Sequence, residues 1–262
     1  MSAFPSHIGA DIAGDIPANI SGNLGDNLSE SFSDKFGDSF SWAAEATDRM
    51  NRMYRRQRHI YDGTRRYYLL GRDQLIANLK PEAGANVLEV GCGTGRNLVL
   101  AARRFPEARW FGIDVSTEML TSAITAIARR GLVSRIKVAH GDATAFDPDL
   151  LFGIPSFDHV MISYSLSMIP NWSRVLEAAI SRLKPGGRLH IVDFGRQERL
   201  PGIARALLLR WLKLFDVTPR DDLERVLSAM AGASGAELRF ERPFRGYAQY
   251  AVLTLPSGPA KP

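Results

Sequence analysis

Glu89, Gly91, Gly93, Gly95, Asp114 and Asp142 are residues whose types and order could do chemistry in this chain. The run from Val87 to Gly95 reads as a buried strand that breaks into a glycine loop, and Asp114 ends the next apolar run. Glycines let a backbone pass close to a ligand, because a Cβ there would occupy the ligand's space. An acid at the end of the second strand can accept two hydrogen bonds from adjacent ribose hydroxyls. Strand, tight turn and later acid together describe a pocket for a nucleoside-containing cofactor. The bland alternatives are a strand-turn-helix that binds nothing and a dinucleotide fold with a decayed fingerprint. The dinucleotide fingerprint places its third glycine where Arg96 stands; here the pattern is Gly-x-Gly-x-Gly. Cys92, inside the loop, is read as a small packing residue rather than a nucleophile.

Such residues need a sheet to hold them. Apolar periodicity predicts strands over 86–91, 109–114, 135–140, 157–163 and 187–194, with helices over 95–105, 117–130 and 172–182 between them. That alternation implies parallel pairing with right-handed crossovers. A further helix is expected from Thr218 as cap, with Pro219 first and Asp221, Asp222 and Glu224 in its opening turn. Two strands, about 236–241 and 247–255, should close the chain as an antiparallel hairpin. The domain plan is an acidic, disordered tail over 1–40, a helical cap over 41–80, and a core over 81–255 carrying a helical insertion at 196–219. A frayed tail follows over 256–262.

Composition narrows the class. With 262 residues, 45% of them hydrophobic, the chain supports one α/β domain with appendages. No apolar run nears the roughly 20 residues of a membrane-spanning helix, and no basic-then-apolar leader opens it, so a cytoplasmic location is expected. One cysteine excludes an intrachain disulfide, and the five histidines lack metal-ligand spacing; no metal is implied. The formal net charge of +5 hides an asymmetry: residues 1–40 hold six acids against Lys35 alone, leaving the remainder near about +10. Arginine forks suit phosphates and carboxylates, so this body should be drawn to anionic surfaces.

Three segments bear on an acceptor. Residues 58–72 interleave Arg58, Arg65, Arg66 and Arg72 with Tyr61, Tyr67 and Tyr68; they could grip RNA, anionic lipid or a substrate carboxylate, or form a solvated basic face. After the fourth strand, Tyr164 could meet an amine through its π face or merely pack beneath the cap. Residues 203–215 form a basic amphipathic pattern whose apolar arc excludes Ala206 and Leu209, suited to a membrane interface or to a lid.

The loop, with Glu89 two residues before its first glycine, resembles motif I of the class I S-adenosylmethionine-dependent methyltransferases. Phe111 to Ser116 with Met119, Gly141-Asp142-Ala143, Phe157 to Val160, and Leu183 to Leu189 resemble that family's later motifs, in order. The resemblance implies a Rossmann-like α/β sheet, mostly parallel with a terminal antiparallel hairpin, beneath an N-terminal helical cap. It implies S-adenosylmethionine as cofactor. Gly91, Cys92, Gly93 and Gly95 would contour its methionyl part, Glu89 would reach its amino group and Asp114 its ribose. Val115 and Met119 would lie against the adenine, with Asp142 accepting from its amino group beside Ala143, and Ser163 would close the pocket. Tyr61 would lie over the methionyl tail and Arg72 would face a carboxylate. His59 or Tyr164 could remove an amine proton. The Asn/Asp-Pro-Pro-aromatic turn of the nucleic-acid amino-methyltransferases is missing, which argues against a nucleic-acid partner.

Residues 61–72, motif I and Tyr164 to Pro170 together resemble bacterial betaine-lipid N-methyltransferases, relatives of phosphatidylethanolamine N-methyltransferases. That implies trimethylation of diacylglycerylhomoserine, a glycerolipid amine, by an enzyme lying on the inner membrane surface. A more distant quinone or small-molecule methyltransferase, or an idle binding subunit, stands as the alternative.

Overall fold

The computed structural model describes residues 69–213 and 217–258. The acidic tail, the cap up to residue 68 with His59 and Tyr61, and the last four residues lie outside them. Helix α1 (Arg72–Leu79) opens the described chain behind Gly71, which caps it in a left-handed conformation. Then follow β1 (Asn86–Val90), α2 (Arg96–Arg104), β2 (Arg109–Asp114), α3 (Thr117–Ala128), β3 (Ile136–His140), α4 (Pro148–Phe152) and β4 (Phe157–Ser163). The second half holds α5 (Trp172–Ser181), β5 (Leu183–Phe194), α6 (Gly202–Lys213), α7 (Leu223–Ser234), β6 (Glu237–Glu241) and β7 (Ala248–Thr254).

Seven strands form one sheet in the order β3-β2-β1-β4-β5-β7-β6. The first five run parallel; β7 pairs antiparallel with both β5 and β6. This is the Rossmann-like methyltransferase fold. The chain runs outward from β1 to β3, then returns to place β4 on the other side of β1. The gap above β1 and β4 is therefore the topological switch point, where open α/β sheets bind ligands.

Strand alternation decides which side chains arrive there. On β1, all five residues are buried; Leu88 and Val90 join the core beneath α5 and α7, whereas Val87 faces the core shared with α1, α2 and α6. Glu89 falls on the Val87 face, between Gly112 on β2 and Met161 on β4. A carboxyl thus enters an apolar layer because the period of two puts it there.

Three local expectations give way to longer-range bonds. The helix expected from Thr218 begins only at Leu223, with Asp222 at its N-cap position and no capping bond from that side chain. Thr218 N–H instead donates to the Ser167 carbonyl at 2.9 Å, and the Arg220 guanidinium spans the carbonyls of Leu166, Ser167 and Ile169. These bonds hold 217–222 across the loop after β4. Strand β5 starts four residues early, because Lys184 to Gly187 bulge out between the Phe157–Leu183 and His159–Arg188 pairs. On α6, Leu209 packs against the core with Leu208, Trp211 and Leu212, while Ile203 and Leu207 face solvent. The apolar residues thus serve two faces rather than one arc.

At the opposite end of the sheet, His159 and His190 share a 3.2 Å contact between ring nitrogens on β4 and β5. Burial lowers both, to about 4 and about 3, and Arg188 adds to the lowering. The unfolded chain binds protons there that the folded one refuses, so this stability is present above pH 6.5 and is lost as pH falls. The melting temperature should drop by roughly 3 °C per pH unit for each ring between pH 6.5 and 4. A His159→Gln, His190→Gln chain should show a flatter acid limb; an unchanged limb would refute the assignment.

Candidate cofactor and acceptor site

The pocket at the switch point is lined by Leu69, Arg72, Glu89, Gly91, Cys92, Gly93, Thr94, Arg96, Asn97 and Ser163. Four elements deliver these groups: the start of α1, the end of β1 with its glycine loop, the first turn of α2, and the end of β4. Glu89 is almost wholly buried, and burial raises its carboxyl from 4.5 to about 8. Asn97 donates to Glu89 Oε1 at 2.7 Å and Arg72 lies close enough to attract it; both oppose the rise. Glu89 Oε2 and Ser163 Oγ are buried without a hydrogen-bond partner.

The glycines divide the labour. All three have positive φ, 72°, 54° and 71° for Gly91, Gly93 and Gly95. A Cβ on Gly91 would come within 2.7 Å of the Ser165 Cβ, and Ser165 Oγ donates to the Val90 carbonyl. A Cβ on Gly95 would press on Ala123 of α3 at 3.0 Å, whereas one on Gly93 would meet no protein atom within 4 Å. Gly91 and Gly95 therefore let the protein close on itself; Gly93 leaves space at the pocket. Gly91→Ala should cost about 2 kcal/mol of stability in urea titrations. Gly93→Ala should cost about 1 kcal/mol, from its left-handed backbone alone, yet weaken cofactor binding more than tenfold. Equal stability losses in the two variants would count against this division.

Asp114 ties the loop to the second subsite. Its Oδ2 accepts from Gly93 N–H at 2.7 Å and its Oδ1 from Ser116 N–H at 2.9 Å. Ser116 in turn caps α3 by accepting from Met119 N–H. Gly141 N–H donates to the Asp114 carbonyl, which sets Asp142 beside it at the end of β3. Asp142 Oδ1 accepts from both the backbone and the hydroxyl of Thr144, leaving Oδ2 for a ligand. Val115 is half-buried, its carbonyl 3.1 Å from His140 Nε2, while Met119 is buried and Ala143 packs against the core.

The structure thus gathers Arg72, Glu89, Gly91, Cys92, Gly93 and Ser163 at one pocket and Asp114, Val115, Asp142 and Ala143 at the neighbouring strand ends, with Met119 in the first turn of α3. An acid and a guanidinium side by side suit the ammonium and carboxylate of an amino-acid moiety. The unpartnered Oε2 and Oγ add acceptor and donor capacity, and the strand-end acids suit a nucleoside. The donor set fits S-adenosylmethionine. Cys92 is buried and its thiol is pushed well above its ordinary value by burial, so it packs.

Tyr164 takes the packed alternative rather than the amine-facing one. It is buried, its φ is 56°, its hydroxyl donates to the Leu70 carbonyl, and its ring meets Phe194 edge-on at 4.6 Å. Burial pushes its phenol well above 10. A phenol that donates its proton to a carbonyl is not placed to take one from an amine; Tyr164 braces the entry to α1. Asn97 was not anticipated, although an asparagine one turn before Ala101 on an apolar helix face is a sign of a buried polar partner.

The methyltransferase-domain family matches residues 87–187. Among curated relatives, a demethylmenaquinone methyltransferase of Listeria monocytogenes serotype 4a is 32% identical over 132 residues, 50% of this chain and 53% of the relative. The match thus spans about half the length of that protein. Among solved structures, the S-adenosylmethionine-dependent methyltransferase SibL superposes with a TM-score of 0.61 at 20% identity, covering 86% of this chain and 72% of its own. Phosphoethanolamine N-methyltransferase 2 of Haemonchus contortus, in complex with S-adenosyl-L-methionine, gives 0.56 at 18% identity, covering 71% and 53%. Residues 87–187 thus match a methyltransferase domain, and the sheet shares the fold of S-adenosylmethionine-dependent methyltransferases.

Proposed function

We propose that the chain methylates the amine of a glycerolipid headgroup at a membrane surface, carrying diacylglycerylhomoserine to its trimethylated betaine lipid. One observation supports this most: α6, inserted directly after β5 at the ligand-binding edge of the sheet, exposes Ile203 (81%) and Leu207 (65%). Arg205, Arg210 and Lys213 stand exposed on the same helix. Exposed apolar side chains among cations suit the interface of an anionic bilayer. Among the described residues no helix is long and apolar enough to cross a membrane.

S-adenosylmethionine supplies a methyl group on a positively charged sulfur, already activated for displacement. What remains for the chain is to hold the amine in line and to exclude water. Among the described residues the pocket wall carries no histidine, and an amine that arrives unprotonated needs no base there.

The test is transfer of labelled methyl from S-adenosylmethionine to a panel of acceptors. Diacylglycerylhomoserine should be the best; phosphatidylethanolamine as sole acceptor would favour the related ethanolamine activity. The name of the Listeria relative favours a second reading, and transfer only to a demethylated quinone would establish it. No transfer to any acceptor would leave a non-catalytic binding subunit. Co-sedimentation with anionic vesicles should weaken with salt, and Ile203→Ser with Leu207→Ser should lower it severalfold at unchanged cofactor affinity. Sedimentation equal to the unaltered chain would remove α6 as an anchor.

A further inference from the structure

Gln197 lies three residues past the end of β5, has no exposed surface, and neither Nε2 nor Oε1 of its amide meets a partner. Its φ of 52° is one that non-glycine residues rarely adopt. Buried amides are almost always hydrogen-bonded, and an exception in a strained backbone at the ligand edge of a sheet calls for a functional account.

The segment is held, not loose. Gly195 N–H donates to the Tyr247 carbonyl at 2.8 Å, Gln197 N–H to the Gly246 carbonyl at 2.9 Å, and Arg199 N–H to the Arg245 carbonyl at 3.3 Å. The opposing turn carries three left-handed residues in succession, Phe244, Arg245 and Gly246. The two turns clasp so closely that a Cβ on Gly195 would overlap the Gly246 carbonyl oxygen. This clasp adjoins the pocket wall through a row of rings. Tyr247 is 5.9 Å from Phe194, Phe194 is 4.6 Å from Tyr164, and Tyr164 donates to Leu70, beside the pocket residue Leu69.

We propose that Gln197 is a specificity residue for the acceptor, its amide reading the amino-acid end of the headgroup. The proposal rests on the lipid-amine reading above and names what that site distinguishes. A primary amide presents an N–H donor and a carbonyl acceptor side by side. An α-amino-acid headgroup presents the reverse pair: a carboxylate to accept from Nε2 and an amine N–H to donate to Oε1. A phosphoethanolamine headgroup lacks that carboxylate, and its phosphate is better met by a cation. The trimethylated product has no N–H left, so it gives up the Oε1 bond and leaves more readily than the substrate.

Gln197→Met, of similar size but without polar atoms, tests this in the full chain. Measured together would be the melting temperature, S-adenosylmethionine affinity, and KM and kcat on diacylglycerylhomoserine and phosphatidylethanolamine in mixed micelles. The melting temperature should rise, because an unpartnered buried amide has been removed. Cofactor affinity should stay within about twofold, while KM for the homoserine lipid should rise at least tenfold and any KM for the ethanolamine lipid stay put. Gln197→Glu should raise the homoserine-lipid KM further, by setting carboxylate against carboxylate. A lowered melting temperature, or an unchanged KM in an unaltered-rate enzyme, would overturn the role of Gln197 alone. Absence of methyl transfer to either lipid by the unaltered chain would overturn the lipid-amine reading, and this inference with it.

Discussion

Replacing Asp114 with alanine should lower S-adenosylmethionine affinity about a thousandfold. The carboxylate holds Gly93 N–H with one oxygen and Ser116 N–H with the other, so its position is fixed before any ligand arrives. Two hydrogen bonds from ribose hydroxyls to a charged acceptor are worth about 1.5–3 kcal/mol each, and their joint loss is on the order of 4 kcal/mol. Alanine also strands the amides of Gly93 and Ser116, which would unsettle the loop and the cap of α3. Asp114→Asn separates the two effects: it keeps an acceptor for one amide and removes the charge. Calorimetric titration should find asparagine intermediate, and an alanine variant within tenfold of the unaltered chain would exclude Asp114 from the ribose site.

Cofactor affinity should also rise with pH, by about tenfold per unit from pH 6 to 8, and level off above. Glu89, raised to about 8 by burial, is mostly protonated at neutral pH in the free protein. Meeting a ligand ammonium requires the carboxylate, so binding below pH 8 must release a proton. Stability of the free protein runs the other way. The folded chain keeps a proton that the unfolded chain gives up above 4.5, so this contribution is present below pH 4.5 and is lost as pH rises toward 8. Glu89→Gln should abolish the slope in affinity, weaken binding above pH 8, and remove the alkaline loss of stability. A slope that survives the substitution would assign the titration to another group.

The cofactor half was legible because its requirements are local. A central parallel strand reads as an unbroken apolar run, left-handed corners read as glycines, and the acids at strand ends stand where the apolar runs stop. Even the burial of Glu89 follows from a period of two once Val87 and Leu88 are assigned to opposite faces. The acceptor half was less legible. Thr218 and Pro219 carry strong helix-start character, but Arg220 reaches back some fifty residues to three carbonyls, and no window of sequence contains both ends of those bonds. Leu209 fell off a single apolar arc because α6 divides its apolar residues between the core and solvent. Tyr164 left an amine-facing ring and a packed one equally open until Leu70 and Phe194 were placed around it. Gln197 has no local pattern at all; only folding shows that its amide is buried without a partner.

The strand order also has a consequence for how such a molecule can change over generations. Most of the residues proposed to hold the cofactor lie in one uninterrupted stretch, Glu89 to Ala143, on β1 to β3 and their loops. The proposed acceptor side draws on later pieces: the loop after β4, the segment from Gly195 through α6 to Arg220, and the turn at Phe244. On the proposed assignment, substitutions in those later pieces would redirect the acceptor without disturbing the nucleoside subsite, so ancestry would be recorded in the first half of the sheet and vocation in the second.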